Sequence, residues 1–225
     1  MYEALQQLDP LRINFSATGM HVVNIVLAFV MFGVALGVKI SHFKSLIKSP
    51  KLAITGLAAQ LIGLPLITFI LIVIFSDYLT PTVCMGMILV ASCPGGNISN
   101  FLTSYSKGNT ELAVGLTATE TLFAPITTPF NFAFWGSMYN VYINNKAGHM
   151  LQNTLTIDIT QVFETVFLLL GIPLILGILF TRKFPETSEK IKKPIQNLSL
   201  AIFAGMIVIM FMNNVELFLK YIYFI

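Results

Sequence analysis

The sequence predicts an all-α polytopic membrane protein of about six transmembrane helices, each near the ~20 apolar residues that cross a bilayer, one of them broken at Pro94-Gly95-Gly96. Three observations carry that prediction. The 225 residues are 56% hydrophobic and only 10% charged, with a mean hydropathy of +0.80. Soluble domains are roughly 25% charged, so this chain has too little polar surface to cover itself in water. Its apolar residues fall in long runs separated by short polar segments that hold most of the lysines. One run is interrupted by Pro94, which removes a helix hydrogen bond, and by two glycines, which free the backbone. In a bilayer such a break is tolerated only where it is buried in protein or lines a cavity.

Six spans are expected, at 18–38, 52–75, 79–104 with the break inside, 110–135, 157–180 and 195–222. In the first, Gly33-Val34-Ala35-Leu36-Gly37 is a small-xxx-small face suited to close helix packing. The second carries Gln60 and Pro65, and a lone Gln at that depth either bonds a neighbouring helix or faces a polar site on the third. The fourth is studded with Thr117, Thr119, Thr121, Thr127 and Thr128. Threonine hydroxyls such as those of Thr121 and Thr128 can satisfy backbone groups freed by Pro125 and Pro129. The same span holds Glu120 near its middle, where an ionised carboxylate is costly and by default functional. Trp135 and Tyr139 suit an outer aromatic belt.

The stretch 136–156 reads as an exposed outer loop. The fifth span begins near Asp158, an acid suited to a helix N-terminus, and is kinked at Pro173. Asn213, Asn214 and Glu216 mark the outer end of the sixth. The domain plan is an outer segment 1–17, first-repeat helices 18–135, the loop 136–156, and two further helices in 157–225.

Orientation follows from the lysines and arginines, which favour the cytoplasmic side. With the N-terminus outside, Lys39, Lys44, Lys48, Lys51, Lys107, Arg182, Lys183, Lys190, Lys192 and Lys193 lie inside. Arg12, Lys146 and Lys220 lie outside, so ten of the 13 basic residues obey the rule. The loops 39–51 and 182–193 are therefore expected to be cytoplasmic, in a plasma or bacterial inner membrane.

Several functions are set aside. The net charge of +3 comes from loop lysines with no interleaved aromatics, so no nucleic-acid partner is expected. Cys84 and Cys93 make no disulfide framework and read as small buried thiols. Met1–Met20 holds Glu3, Asp9, Pro10 and Arg12 and lacks the apolar core of a cleaved signal peptide. His21, His42 and His149 show no metal-ligand spacing. Ser92 and Ser99 flank the glycines, but no His or Lys base sits on a span, so no enzyme and no enzyme cofactor are expected.

The residues do assemble a binding chemistry. Unwound carbonyls at the break, with Gln60, Ser99, Asn100 and Thr117, are hard oxygen donors of the kind that suit a hard cation such as Na⁺. The helix that restarts near Asn97 points its first N–H groups into the gap, and those groups favour an anion. Discontinuous transporter helices combine the two features. An organic anion and a coupling cation at one midplane site are therefore expected.

The blocks Ser92-Cys93-Pro94-Gly95-Gly96-Asn97-Ile98-Ser99-Asn100, Lys107-Gly108-Asn109, Ala124-Pro125 and Thr128-Pro129 closely resemble the bile acid:sodium symporter family. Leu112 and Thr117 fit the same pattern. Met31–Gly37 with His42-Phe43, and Ala59-Gln60 with Pro65, resemble its preceding helices, so that the likeness covers most of residues 25–182. It implies a partial inverted-repeat transporter fold with two broken helices crossing at the centre. It also implies sodium-coupled symport of an organic anion, bile-acid-like or a small carboxylate. Carried over by position, Ser99, Asn100 and Thr117 are implied sodium ligands of the first repeat, and Gln60 a ligand of a second sodium site. The backbone at Gly96, Asn97 and Ile98 is implied to face the substrate.

Three departures stand out. Ala113 replaces a sodium-site serine. Glu120 replaces a small polar residue and becomes a candidate charge or proton site. The second crossing helix would follow residue 225, so the chain reads as incomplete, lacking the C-terminal part of the second repeat. Two alternatives stay open: a truncated, transport-inactive chain or partner subunit, and a proton-coupled anion carrier using Glu120.

Overall fold

The computed structural model of the chain describes residues 17–37, 46–47, 49–146, 164–215 and 219. Among the described residues there are helices and turns and no strand. In chain order the helices are α1 (Ala17–Ala35), α2 (Pro50–Ile74), α3 (Pro81–Ser92), α4 (Asn97–Tyr105), α5 (Thr110–Lys146), α6 (Glu164–Lys183) and α7 (Pro185–Asn213). By length and apolarity α2, α6 and α7 can each cross a membrane. Residues His21–Ala35 of α1 and the whole of α3 are shorter apolar helices. α5 is long enough, but its Thr, Asn and Glu residues keep it below that apolarity. Large apolar side chains stand exposed along these helices, among them Ile62, Val90, Phe130 and Leu200. An exterior of this kind suits lipid and not water.

The chain divides into two compact units, Met1–Val38 with Leu168–Ile225, and Lys39–Phe167. In the first unit α1 packs on α6 and α7 through small residues. A Cβ placed on Gly177 would collide with Ala35 and crowd the Phe32 carbonyl at 3.1 Å, and one on Gly33 would stand 3.0 Å from Ser199 Oγ. The Gln196 amide donates to the Gly33 carbonyl at 3.2 Å. The Gly33–Gly37 face is thus a packing face, as its spacing suggests.

The second unit holds α2 to α5. Its core is Ile72, Cys84, Ile88, Trp135 and Tyr139, flanked by Phe69, Leu79 and Phe132. At one end Lys146 pairs with Asp77 and donates to Ser76, and the Tyr142 hydroxyl donates to the same serine at 3.2 Å. The turn between α2 and α3 and the end of α5 therefore lie together.

Several expectations need correction. Trp135 and Tyr139 are 6% and 2% exposed inside that core and form no outer belt. The loop expected from residue 136 is helical as far as Lys146. At 1.5 Å per residue, the 37 residues of α5 extend about 55 Å, beyond the ~30 Å of hydrocarbon. The last helix starts at Pro185, ten residues before the expected 195, because Glu186 to Lys193 is polar yet favourable to helix. Cys84 is buried as expected, but Cys93 is exposed. Thr121 donates to the Thr117 carbonyl at 2.8 Å, whereas the buried Thr128 hydroxyl finds no partner among the described residues. Residues 1–16, His42, His149, Asp158 and Glu216 lie outside the described residues.

Candidate functional site

The site is built where the chain loses its helix. α3 ends at Ser92 with Cys93 extended (φ −80°, ψ 151°), and α4 begins at Asn97 after an extended Gly96 (φ −92°, ψ 167°). Four residues, Cys93 to Gly96, cross the gap. Pro94 has no N–H to extend α3, and the Ser92 hydroxyl turns back to the Ile88 carbonyl at 2.8 Å. On the far side, the Ser99 N–H and hydroxyl donate to the Gly96 carbonyl at 3.0 and 2.6 Å. Thr103 Oγ1 donates to the Ser99 carbonyl at 2.8 Å. The first turn of α4 is thereby fixed, with the backbone of Asn97 and Ile98 at its head; their side chains lie outside what the structure describes.

α4 stops one turn later. Lys107 takes a left-handed conformation (φ 57°), and the Gly108 N–H returns to the Thr103 carbonyl at 2.8 Å. This closure resembles the usual end of a helix with its cap in left-handed backbone. Asn109 then caps α5, its Oδ1 accepting the Leu112 N–H at 3.0 Å. The reversal lays α4 against α5. There Thr117 Oγ1 donates to Asn100 Oδ1 at 3.1 Å, joining two of the expected sodium ligands across 17 positions of sequence.

Gln60 approaches the break from α2, beside Gly95. Its segment, Ala59–Gly63, is a widened turn in which the Leu64 N–H returns to Ala59, five residues back. Pro65 explains the widening: it cannot donate to Leu61, and its ring crowds that carbonyl. Single wide turns of this kind recur at functional positions. The Gln60 amide points toward the break: a Cβ built on Gly95 would stand 3.9 Å from Gln60 Nε2.

Glu120 completes the site from α5. It is 6% exposed, and its Oε2 accepts the Gly95 N–H at 3.0 Å. A carboxylate on one helix therefore holds the unwound strand of another. The residues are thus brought together in two groups. Asn100 and Thr117 bond each other, while Gln60, Ser99 and Glu120 converge beside Gly95. Ala113, also on α5, supplies no donor. The bond between Gly95 and Glu120 had no sequence signal beyond the acid itself, because 25 positions separate the partners.

Comparison with known proteins gives a consistent likeness. Residues 24–221 match the model of the Sodium Bile acid symporter family. An uncharacterized sodium-dependent transporter of Bacillus subtilis, YocS, is 41% identical over 107 residues, 48% of this chain and 33% of that protein. The human ileal sodium/bile acid cotransporter is 28% identical over 172 residues, 76% of this chain and 46% of that protein. A sodium-dependent organic anion transporter of Bos taurus is 26% identical over 169 residues, 75% of this chain and 41% of that protein. The chain thus spans less than half the length of each of these relatives.

Proposed function

The chain belongs to the sodium bile acid symporter family, and on that premise we propose that it serves sodium-coupled symport of an organic anion, bile-acid-like or a small carboxylate. The family is one of transporters, not of enzymes. The observation that carries the reading to this chain is the broken helix with its ligands in register: Asn100 on α4 bonds Thr117 on α5 at the foot of the gap.

Gln60, Ser99, Asn100 and Thr117 then take sodium. Their oxygens are neutral and hard, as a weakly held monovalent cation requires. The N-terminus of α4, with Gly96, Asn97 and Ile98, takes the anion. Its first backbone N–H groups carry the positive end of the helix dipole. A cation and an anion held within one gap each lower the cost of desolvating the other, which ties the two movements together. The setting is an integral membrane one, with the N-terminus outside and the lysine-rich stretches 39–51 and 182–193 cytoplasmic.

Uptake of labelled cholate and of small monocarboxylates into vesicles carrying the protein, with sodium or with choline outside, tests this. Sodium-driven uptake should exceed the choline control at least tenfold. Thr117→Val and Asn100→Ala should each raise the sodium concentration for half-maximal uptake about tenfold, the equivalent of one lost charge-assisted contact of ~1.4 kcal/mol. Equal uptake in choline would sink the reading.

A further inference from the structure

Glu120 has no part in the symport just described, and its surroundings ask for one. It is the acid buried within the span of α5, and among the described residues no basic side chain lies within ion-pair distance of it. A carboxylate so placed is expensive unless a cation or several hydrogen bonds accompany it. One bond is present, from the Gly95 N–H to Oε2 at 3.0 Å. The second oxygen, Oε1, has lone pairs to spare.

The space beside Gly95 is ringed by polar atoms. A Cβ built there would have as its nearest neighbours Glu120 Oε2 at 3.4 Å, Ser99 Oγ at 3.8 Å and Gln60 Nε2 at 3.9 Å. They come from three different elements, α5, α4 and α2. Each can present an oxygen. Ser99 already spends its proton on the Gly96 carbonyl, so its lone pairs are free. The Gln60 amide, turned over, places Oε1 where Nε2 stands.

We propose that this space beside Gly95 is a sodium site in which Glu120 supplies the negative charge and Ser99 and Gln60 supply neutral oxygens. The site rests on the symport reading and deepens it, by placing a charged ligand in the half of the gap that otherwise offers only neutral ones. One carboxylate balances one monovalent ion, whereas divalent ions usually gather several. The anionic substrate is excluded from this spot by Glu120 itself. A bare proton needs no ring of oxygens. Donors on three different helices come within the ~2.3–2.6 Å of calcium, an ion of sodium's radius, only by closing around the ion. Binding therefore pulls α2, α4 and α5 toward Gly95 and tightens the gap.

Cys93 reports on this directly. It is exposed two residues before Gly95, while Cys84 is 1% exposed and serves as a silent internal thiol. The rate of maleimide labelling at Cys93 is measured in purified protein as sodium replaces choline at constant ionic strength and pH. In the unaltered chain sodium should slow labelling several-fold. Gly95→Ala should abolish that protection. Its methyl fills the space, yet at 3.4 Å from its nearest neighbour it makes only an ordinary contact, so the fold survives. Glu120→Gln should shift half-protection to at least tenfold higher sodium, and Glu120→Asp should recover part of the shift.

Protection of Gly95→Ala at the sodium concentrations of the unaltered chain overturns the site, even should Glu120→Gln fail to fold. Protection that follows pH and ignores sodium also overturns it, in favour of a proton. The two readings fail separately. Sodium-driven uptake that falls in Asn100→Ala but is unmoved in Gly95→Ala and Glu120→Gln leaves symport standing and removes this site. Sodium protection of Cys93 through Glu120, beside uptake indifferent to sodium, does the reverse.

Discussion

Trp135 is the chain's one tryptophan, and its ring lies 5.8 Å from that of Phe69 and 5.3 Å from that of Phe134. Its emission should be blue-shifted and poorly quenched by acrylamide, and Trp135→Ala should lower stability by about 3–5 kcal/mol, read as a fall in melting temperature. Ready quenching would return Trp135 to the aromatic belt. An aromatic residue at the end of an apolar run satisfies either role, which is why the sequence could not decide between them. Gln60 and Glu120 were legible for the opposite reason. A polar side chain amid apolar neighbours has few uses, and each of these two turns toward the break. The exposure of Cys93 was not legible, since it depends on which side of the unwound strand faces outward.

At the scale of the element, the break between α3 and α4 was readable to within a residue or two, because Pro94, Gly95 and Gly96 act locally. The span expected at 52–75 and the start expected at 110 fall as close, at α2 and α5, but the end of α5 and the start of α7 were not readable. Hydropathy marks where lipid stops, and α5 and α7 continue beyond it in polar residues that still favour helix. The widened turn at Ala59–Gly63 also escaped notice, although Gly63-Leu64-Pro65 carries its cause. A second widened turn, at Phe167–Gly171, precedes Gly171-Ile172-Pro173 in the same way. Proline two residues past such a turn is a pattern that sequence alone could have offered. Packing between elements is more exacting. Gly177→Val should push α6 off α1, since the Phe32 carbonyl cannot yield as a side chain would. The expected loss is about 1–3 kcal/mol, measured as a drop in thermal midpoint. A midpoint unchanged within a degree would mean that the two helices do not touch so closely.

Across the whole molecule, composition alone carried the class: a chain with 10% charge and this hydropathy has a membrane as its solvent. Orientation rests on the basic residues and is open to a direct check. An impermeant amine reagent added to sealed, right-side-out vesicles should label Lys146 and spare Lys190, Lys192 and Lys193; the opposite pattern would invert the topology. What composition could not show is the division into two units, since α1 joins α6 and α7 across more than a hundred residues of sequence. The interposed unit is continuous, and it contains Gln60, Ser99, Asn100, Thr117 and Glu120 together. Chains emerge from the ribosome N-terminus first, at about 5–20 residues per second. Every donor named here has therefore been made before the first residue of α6 is added. α1, by contrast, must wait in the bilayer for partners that do not yet exist, while the donors' own scaffold is already complete.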